Sequence, residues 1–143
     1  MSELKIIVVG VDGSAGSRKA LTWAAAEAAI HGSDLVVVNV WEHTLLPPAG
    51  SVSVSERYVP DPSQRTADDL LQVIKEELGD EPPVPVQPRV KQGRTAKVLI
   101  EESADADLLV VGPRGHGGFA GLVLGSVSQH VAAYAKCPVV VVR

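Results

Sequence analysis

The sequence predicts an α/β domain built on a five-stranded, mostly parallel sheet with helices on both faces. Two observations carry this. The β-type runs are continuous stretches of valine, isoleucine and leucine rather than in–out alternations, which suits strands covered on both faces. Runs of helical period separate them, so strand–helix–strand repeats four times. The 143 residues are read as one domain, 1–143, because domains cluster near roughly 100–150 residues.

The first strand is Leu4–Gly10. An alanine-rich helix follows from about Gly16 to Ile30 and closes at Gly32. The second strand is Asp34–Trp41. Residues 42–62 hold prolines and serines without a helical stripe, and a stretch of that length is either a functional lid or a disordered connection. In the second helix Ala67, Leu70, Leu71, Ile74 and Leu78 share a stripe, and Gly79 stops it. The third strand, Val84–Val90, carries Pro85 and Pro88. Proline cannot donate to a ladder, so this strand belongs at an edge. After Gly93, a third helix aligns Ala96, Leu99, Ile100 and Ser103. The fourth strand is Asp107–Gly112. The fourth helix, Ser126–Ala135, puts Val127, Val131 and Tyr134 on one side. Pro138 ends it and opens the fifth strand, Pro138–Val142.

Composition excludes several function classes. A net charge of −4 argues against a nucleic-acid binder, and 3% aromatics are too few for a base-stacking platform. The single cysteine, Cys137, excludes a disulfide framework and a cysteine zinc site. It is expected to be a small buried residue. No run reaches the ~18–20 apolar residues of a membrane span, and no signal-peptide pattern opens the chain. The expectation is a cytoplasmic protein with neither membrane nor nucleic-acid partners. His31 precedes the Gly32 stop, where a cation is favourable. His43 and His130 lie apart, so the histidines form no metal site.

The strongest chemical signal follows the fourth strand. Gly112, Gly115, Gly117, Gly118 and Gly121 are five glycines within ten residues, between a buried strand and a helix. Glycine reaches positive φ cheaply and lets a ligand approach the main chain. Successive amides there form an anion-binding concavity, and the helix starting at Ser126 adds its free N–H groups and dipole. Ser126 has a second reading, since Ser126-Val127-Ser128-Gln129 matches a capping box. The run is not a P-loop: Gly118 and Phe119 stand where lysine and a hydroxyl residue are required. Gly115 to Ala120 fits a dinucleotide pattern, but in the wrong place, after the fourth strand. At the end of the first strand, Gly10-Val11-Asp12-Gly13-Ser14 offers a carboxylate. Asp12 either accepts from a nucleoside or helps hold Mg2+, or it is a turn-former capping the next helix.

Gly112-x2-Gly115-x9-Gly125-Ser126 resembles the nucleotide-binding motif of the universal stress protein family. The likeness extends to Ile7–Ser14, to Val40 at the end of the second strand, and to Cys137-Pro138-Val139-Val140-Val141. Similarity to the ATP-binding branch implies strand order 3-2-1-4-5, a Rossmann-like, adenine nucleotide alpha hydrolase-like sheet, and a homodimer. It implies that Asp12 contacts the nucleoside beside Gly10 and that the backbone of Val40 meets adenine. It further implies that Gly112, Gly115, Gly117, Gly125, Ser126 and Val127 wrap ribose and phosphates. The chain departs from common family sequences at Pro113, which removes an amide, and at His116, where arginine is frequent. Arg114 keeps a positive charge nearby.

In the implied order Val139–Val142 lies at an open edge, and pairing with a second copy would cover it. The expected function is ATP binding, with Mg2+, as a regulatory ligand. The sequence supplies no P-loop lysine, arginine finger or water-positioning residue, so turnover is expected to be slow or absent. A nucleotide-free dimeric interaction module of the same fold is the alternative. A flavin or dinucleotide enzyme is a third reading, and a colourless preparation would argue against flavin.

Overall fold

The computed structural model describes residues 4–41, 62–113 and 124–143. Its elements run β1 (Ile6–Gly10), α1 (Ala15–His31), β2 (Asp34–Trp41), α2 (Pro62–Leu78), β3 (Val86–Gln92), α3 (Thr95–Ser103), β4 (Leu108–Val111), α4 (Ser126–Tyr134) and β5 (Val139–Val141). The sheet is ordered β3-β2-β1-β4-β5, and every neighbouring pair is parallel.

Two apolar layers flank the sheet. On one face α1 and α2 pack Ala20, Leu21, Ala24, Ala28, Leu70, Val73 and Ile74 against Ile7, Val9, Leu35, Val37 and Val110. On the other, α3 and α4 supply Leu99 and Val131 against Val8, Val36, Val38, Leu109 and Val111. Alternate residues of each strand thus serve opposite layers, which is why the strands read as continuous apolar runs. Fully burying one such leucine or isoleucine contributes about 1.5–3 kcal/mol.

Local chemistry sets the element ends. Ser14 caps α1, its hydroxyl accepting from Ser17 N–H at 3.3 Å. Gly32 closes the helix in the left-handed region at φ +67, and its N–H reaches the Ala28 carbonyl. Arg18 joins α1 to α2, donating to Glu77 at 3.1 Å and lying 3.5 Å from Glu76. Glu77, and then Glu76, holds its guanidinium more firmly charged than usual, against a smaller loss from burial. Asp107 accepts from Lys5 and Ile6 N–H at 2.9 and 3.0 Å, locking the starts of β1 and β4.

β3 starts two residues later than the expected Val84–Val90, so Pro85 lies just before it and Pro88 is the one proline inside, in a workable phase. Leu35 N–H donates to the Pro85 carbonyl and Gly93 N–H to the Trp41 carbonyl, both at 2.9 Å. Odd-numbered residues of β3 therefore bond to β2. Pro88 is even-numbered, so its missing N–H falls on the open edge.

Some expectations need correction. Leu71 does not belong to the buried stripe of α2; it is exposed, and Val73 takes the place beside Leu70 and Ile74. Tyr134 is likewise exposed on α4, where its ring lies 4.9 Å from that of His130. On α3, Val98 is buried while Ile100 is only partly covered. Leu70, Ile74, Leu99, Ser103 and Val131 are buried as expected, so the stripes hold at their centres and fail at their margins. The three residues of β5 are half-buried, since an edge strand has a neighbour on one side only. Cys137 is half-buried rather than buried. Burial, and then the Asp107 charge, pushes its thiol above the ordinary value. Residues 42–61 lie outside the described residues, and with them His43 and both readings of that stretch.

Candidate functional site

The topology creates one crevice by construction. The chain leaves β1 toward β2 and leaves β4 toward β5, so the loops at the carboxyl ends of these adjacent strands diverge. Ligands of open parallel sheets bind at such a point. A cavity of about 220 Å³ lies there, lined by Gly10, Val11 and Asp12 of the first strand's end, and by Val38 and Val40 of β2. Val111 and Gly112 line it from β4, Ser17 from α1, Thr95 and Leu99 from α3, and Val127 and Ser128 from α4. Its walls are mainly valine and leucine, with a few polar groups, the usual make-up of a small-molecule site.

Asp12 sits in a tight turn. Its Oδ1 accepts from Ser14 N–H at 2.9 Å, and its own N–H donates to Ser17 Oγ at 3.2 Å. Ser17 Oγ in turn donates to the Ser14 carbonyl at 3.0 Å. Gly13, at φ +86, supplies the left-handed residue that this turn requires. One carboxylate oxygen of Asp12 thus holds the turn, while Ser14 rather than Asp12 caps α1, and Asp12 also lines the cavity.

Hydrogen-bond phase decides which groups of β2 face the crevice. Odd-numbered residues bond to β3, as above. Even-numbered ones face β1, because Val11 N–H donates to the Val38 carbonyl at 2.9 Å. The next rung would run from Val40 N–H to the Val11 carbonyl, and it is not made. That carbonyl accepts from Asn39 Nδ2 at 2.8 Å. Among the described residues, the N–H and C=O of Val40 have no ladder partner on the side that β1 has vacated.

Two bonds tie the end of β4 to the start of α4. Ser128 Oγ donates to the Gly112 carbonyl at 2.6 Å, and Gly125 N–H to the Pro113 carbonyl at 2.6 Å. The capping box expected at Ser126 is not formed. Gly125 is the N-cap, without a side-chain bond, and Gln129 Nε2 donates to the Leu124 carbonyl at 2.7 Å instead of reaching back. Among the described residues no side chain caps the start of α4, and Val127 and Ser128 of its first turn line the cavity.

Gly112 differs from its expected role. Its φ is not positive. A Cβ there would lie 2.8 Å from the Gly16 carbonyl carbon, so glycine is needed for the close passage of α1.

Of the predicted residues, Gly10, Asp12, Val40, Gly112 and Val127 are brought together around the cavity. Gly125 and Ser126 stand at the start of α4 without lining it, Ser126 exposed. Arg114, Gly115, His116 and Gly117 lie outside the described residues. Sequence reasoning missed Val11, Ser17, Val38, Thr95, Leu99, Val111 and Ser128. Ser17 and Thr95 occupy first turns of helices that follow strand ends, and that position was the available signal. Among the described residues no group of three histidine, cysteine or acidic side chains could hold a metal ion.

Residues 3–143 match the model of the Universal stress protein family. The chain belongs to that family. It is 38% identical over 138 residues to a universal stress protein of Mycolicibacterium smegmatis, covering 96% of this chain and 45% of the relative. The chain thus spans about half the length of this and the similar mycobacterial relatives. A Thermus aquaticus family member is 33% identical over 141 residues, covering 97% of this chain and 98% of its own. Among solved structures, the Lactobacillus plantarum universal stress protein UspA superimposes with a TM-score of 0.79 at 22% identity, covering 100% of both chains. A universal stress protein in complex with cAMP gives 0.67 at 25% identity over 99% of this chain and 98% of that one. An Archaeoglobus fulgidus family member in complex with dAMP gives 0.62 at 21% identity, over 99% and 100%. The fold of the family, including the order β3-β2-β1-β4-β5, is the one found here.

Proposed function

We propose that this chain is an adenine-nucleotide-binding universal stress protein that holds ATP as a regulatory ligand, with slow or no hydrolysis, and works as a homodimer. One observation carries the reading: the unpaired donor and acceptor of Val40 face the same apolar crevice as Asp12 and the uncapped start of α4. An adenine edge offers a donor beside an acceptor, which complements a strand's C=O and N–H. Valine and leucine walls suit a flat ring. A ribose hydroxyl can donate to a carboxylate such as Asp12. Unsatisfied helix N–H groups and the helix dipole favour phosphate. The adenine nucleotides in two structural relatives support the ligand class.

Gly115, Gly117, Gly125 and Ser126 then serve the ribose and phosphates, with Arg114 and His116 beside them. Asp12 is the carboxylate lining the cavity, and Mg2+ commonly rides on substrate phosphates with only one or two protein carboxylates. Bound nucleotide stabilises whichever state binds it, which is how a ligand without turnover regulates.

Calorimetric titration with ATP, with and without Mg2+, tests the reading. The wild-type protein is expected to bind, while Asp12→Ala and Gly115→Asp lose binding and keep the folded circular-dichroism spectrum. Unchanged affinity in both variants overturns the site. A wild-type protein that binds no nucleotide is instead the dimeric interaction module.

A further inference from the structure

We infer that Asn39 is a positioning residue that selects the base by keeping the Val40 edge open; the inference rests on the adenine-nucleotide reading above. A backbone N–H in register with a carbonyl closes that rung by default, because an unpaired buried donor costs about 1–3 kcal/mol. Val40 N–H is in register with the Val11 carbonyl, one step past the rung from Val11 N–H to the Val38 carbonyl. In the open rung Asn39 Nδ2 donates to that carbonyl at 2.8 Å, occupying one of its two lone pairs and competing with the Val40 donor for its approach. Asn39 does not line the cavity. By strand alternation its side chain lies on the α1–α2 face with Leu35 and Val37, whereas Val38 and Val40 serve the opposite layer and line the crevice. Asn39 therefore acts through the sheet, on the carbonyl that would otherwise take the Val40 donor.

The consequence is chemical selectivity. With the rung open, Val40 presents an acceptor and a donor together. A 6-aminopurine meets them with its amino donor and ring-nitrogen acceptor. A 6-oxopurine offers the same two functions in reversed order and cannot satisfy both in the same pose. With the rung closed, the N–H is consumed and this discrimination disappears.

The test uses Asn39→Val, which removes the side-chain donor, and Asn39→Asp, which keeps its shape without the amide donor. Two readouts are taken: hydrogen exchange at the Val40 amide of the nucleotide-free protein by NMR, and titrations with AMP and IMP. The wild-type amide is expected to exchange readily, and AMP to bind at least about tenfold more tightly than IMP. In Asn39→Val the Val40 amide becomes protected as the rung closes, and AMP affinity falls about tenfold, to the level of IMP. Asn39→Asp loses the same preference and serves if the valine variant does not fold. Unchanged Val40 exchange together with an unchanged AMP preference overturns the role of Asn39 alone. A wild-type protein that binds AMP no better than IMP, or not at all, overturns the adenine reading and this inference with it.

Discussion

A Cβ on Gly112 would stand 2.8 Å from the carbonyl carbon of Gly16 and 2.9 Å from its oxygen, backbone atoms that cannot swing aside. Gly112→Ala is therefore expected to cost about 1–3 kcal/mol in urea unfolding, through strain where α1 crosses β4. Gly10 makes the contrasting case. Its added methyl would meet the Leu99 side chain at 3.0 Å, and a leucine can turn away. Gly10→Ala is expected to change stability by less than about 1.5 kcal/mol, yet to weaken nucleotide binding in the same titration, because both residues line the cavity. Of the glycine-rich run, Gly112 lines the cavity, though not for the reason its spacing suggested. Its spacing suggested backbone freedom, but steric access for α1 is what Gly112 supplies. Ser128 was not legible, since a serine looks alike whether it faces water or bonds a carbonyl 16 residues away.

At the scale of elements, helix starts differ in kind. Ser14 caps α1 with its hydroxyl, whereas Arg94 and Gly125 begin α3 and α4 with no side-chain bond. Ser14→Ala is expected to lower stability by about 0.5–2 kcal/mol, measured by thermal unfolding. The strands were legible because burial on both faces writes a continuous apolar run, and Pro85 and Pro88 placed β3 at the edge. Helix faces were less legible. Leu71 and Tyr134 fit an apolar stripe by spacing, yet each layer covers only the arc that meets the sheet. The open rung beside Val40 was illegible, because ladder phase depends on where the neighbouring strand stops.

For the whole molecule, the open edge of β5 carries a prediction about assembly. β5 is short, all-valine and half-buried, with a free edge in the sheet order. Pairing of Val139–Val142 with a second copy is expected to give a dimer by light scattering at micromolar concentration, with an unfolding midpoint that rises with protein concentration. A monomer at that concentration overturns the pairing. No helix among the described residues is long and apolar enough to cross a membrane.

The sequence by itself determined the class of fold, its alternation of strands and helices, the edge position of β3, and a family likeness centred on glycines and Asp12. Those features are written in hydrophobic period and in residue types with few conformational options. Only the tertiary structure decided that Asp12 both holds a turn and lines the crevice, that Ser126 is not a cap, and that Val40 keeps an unpaired edge. Each of these depends on which partner reaches a polar group first, and that is settled by elements brought together from distant parts of the chain.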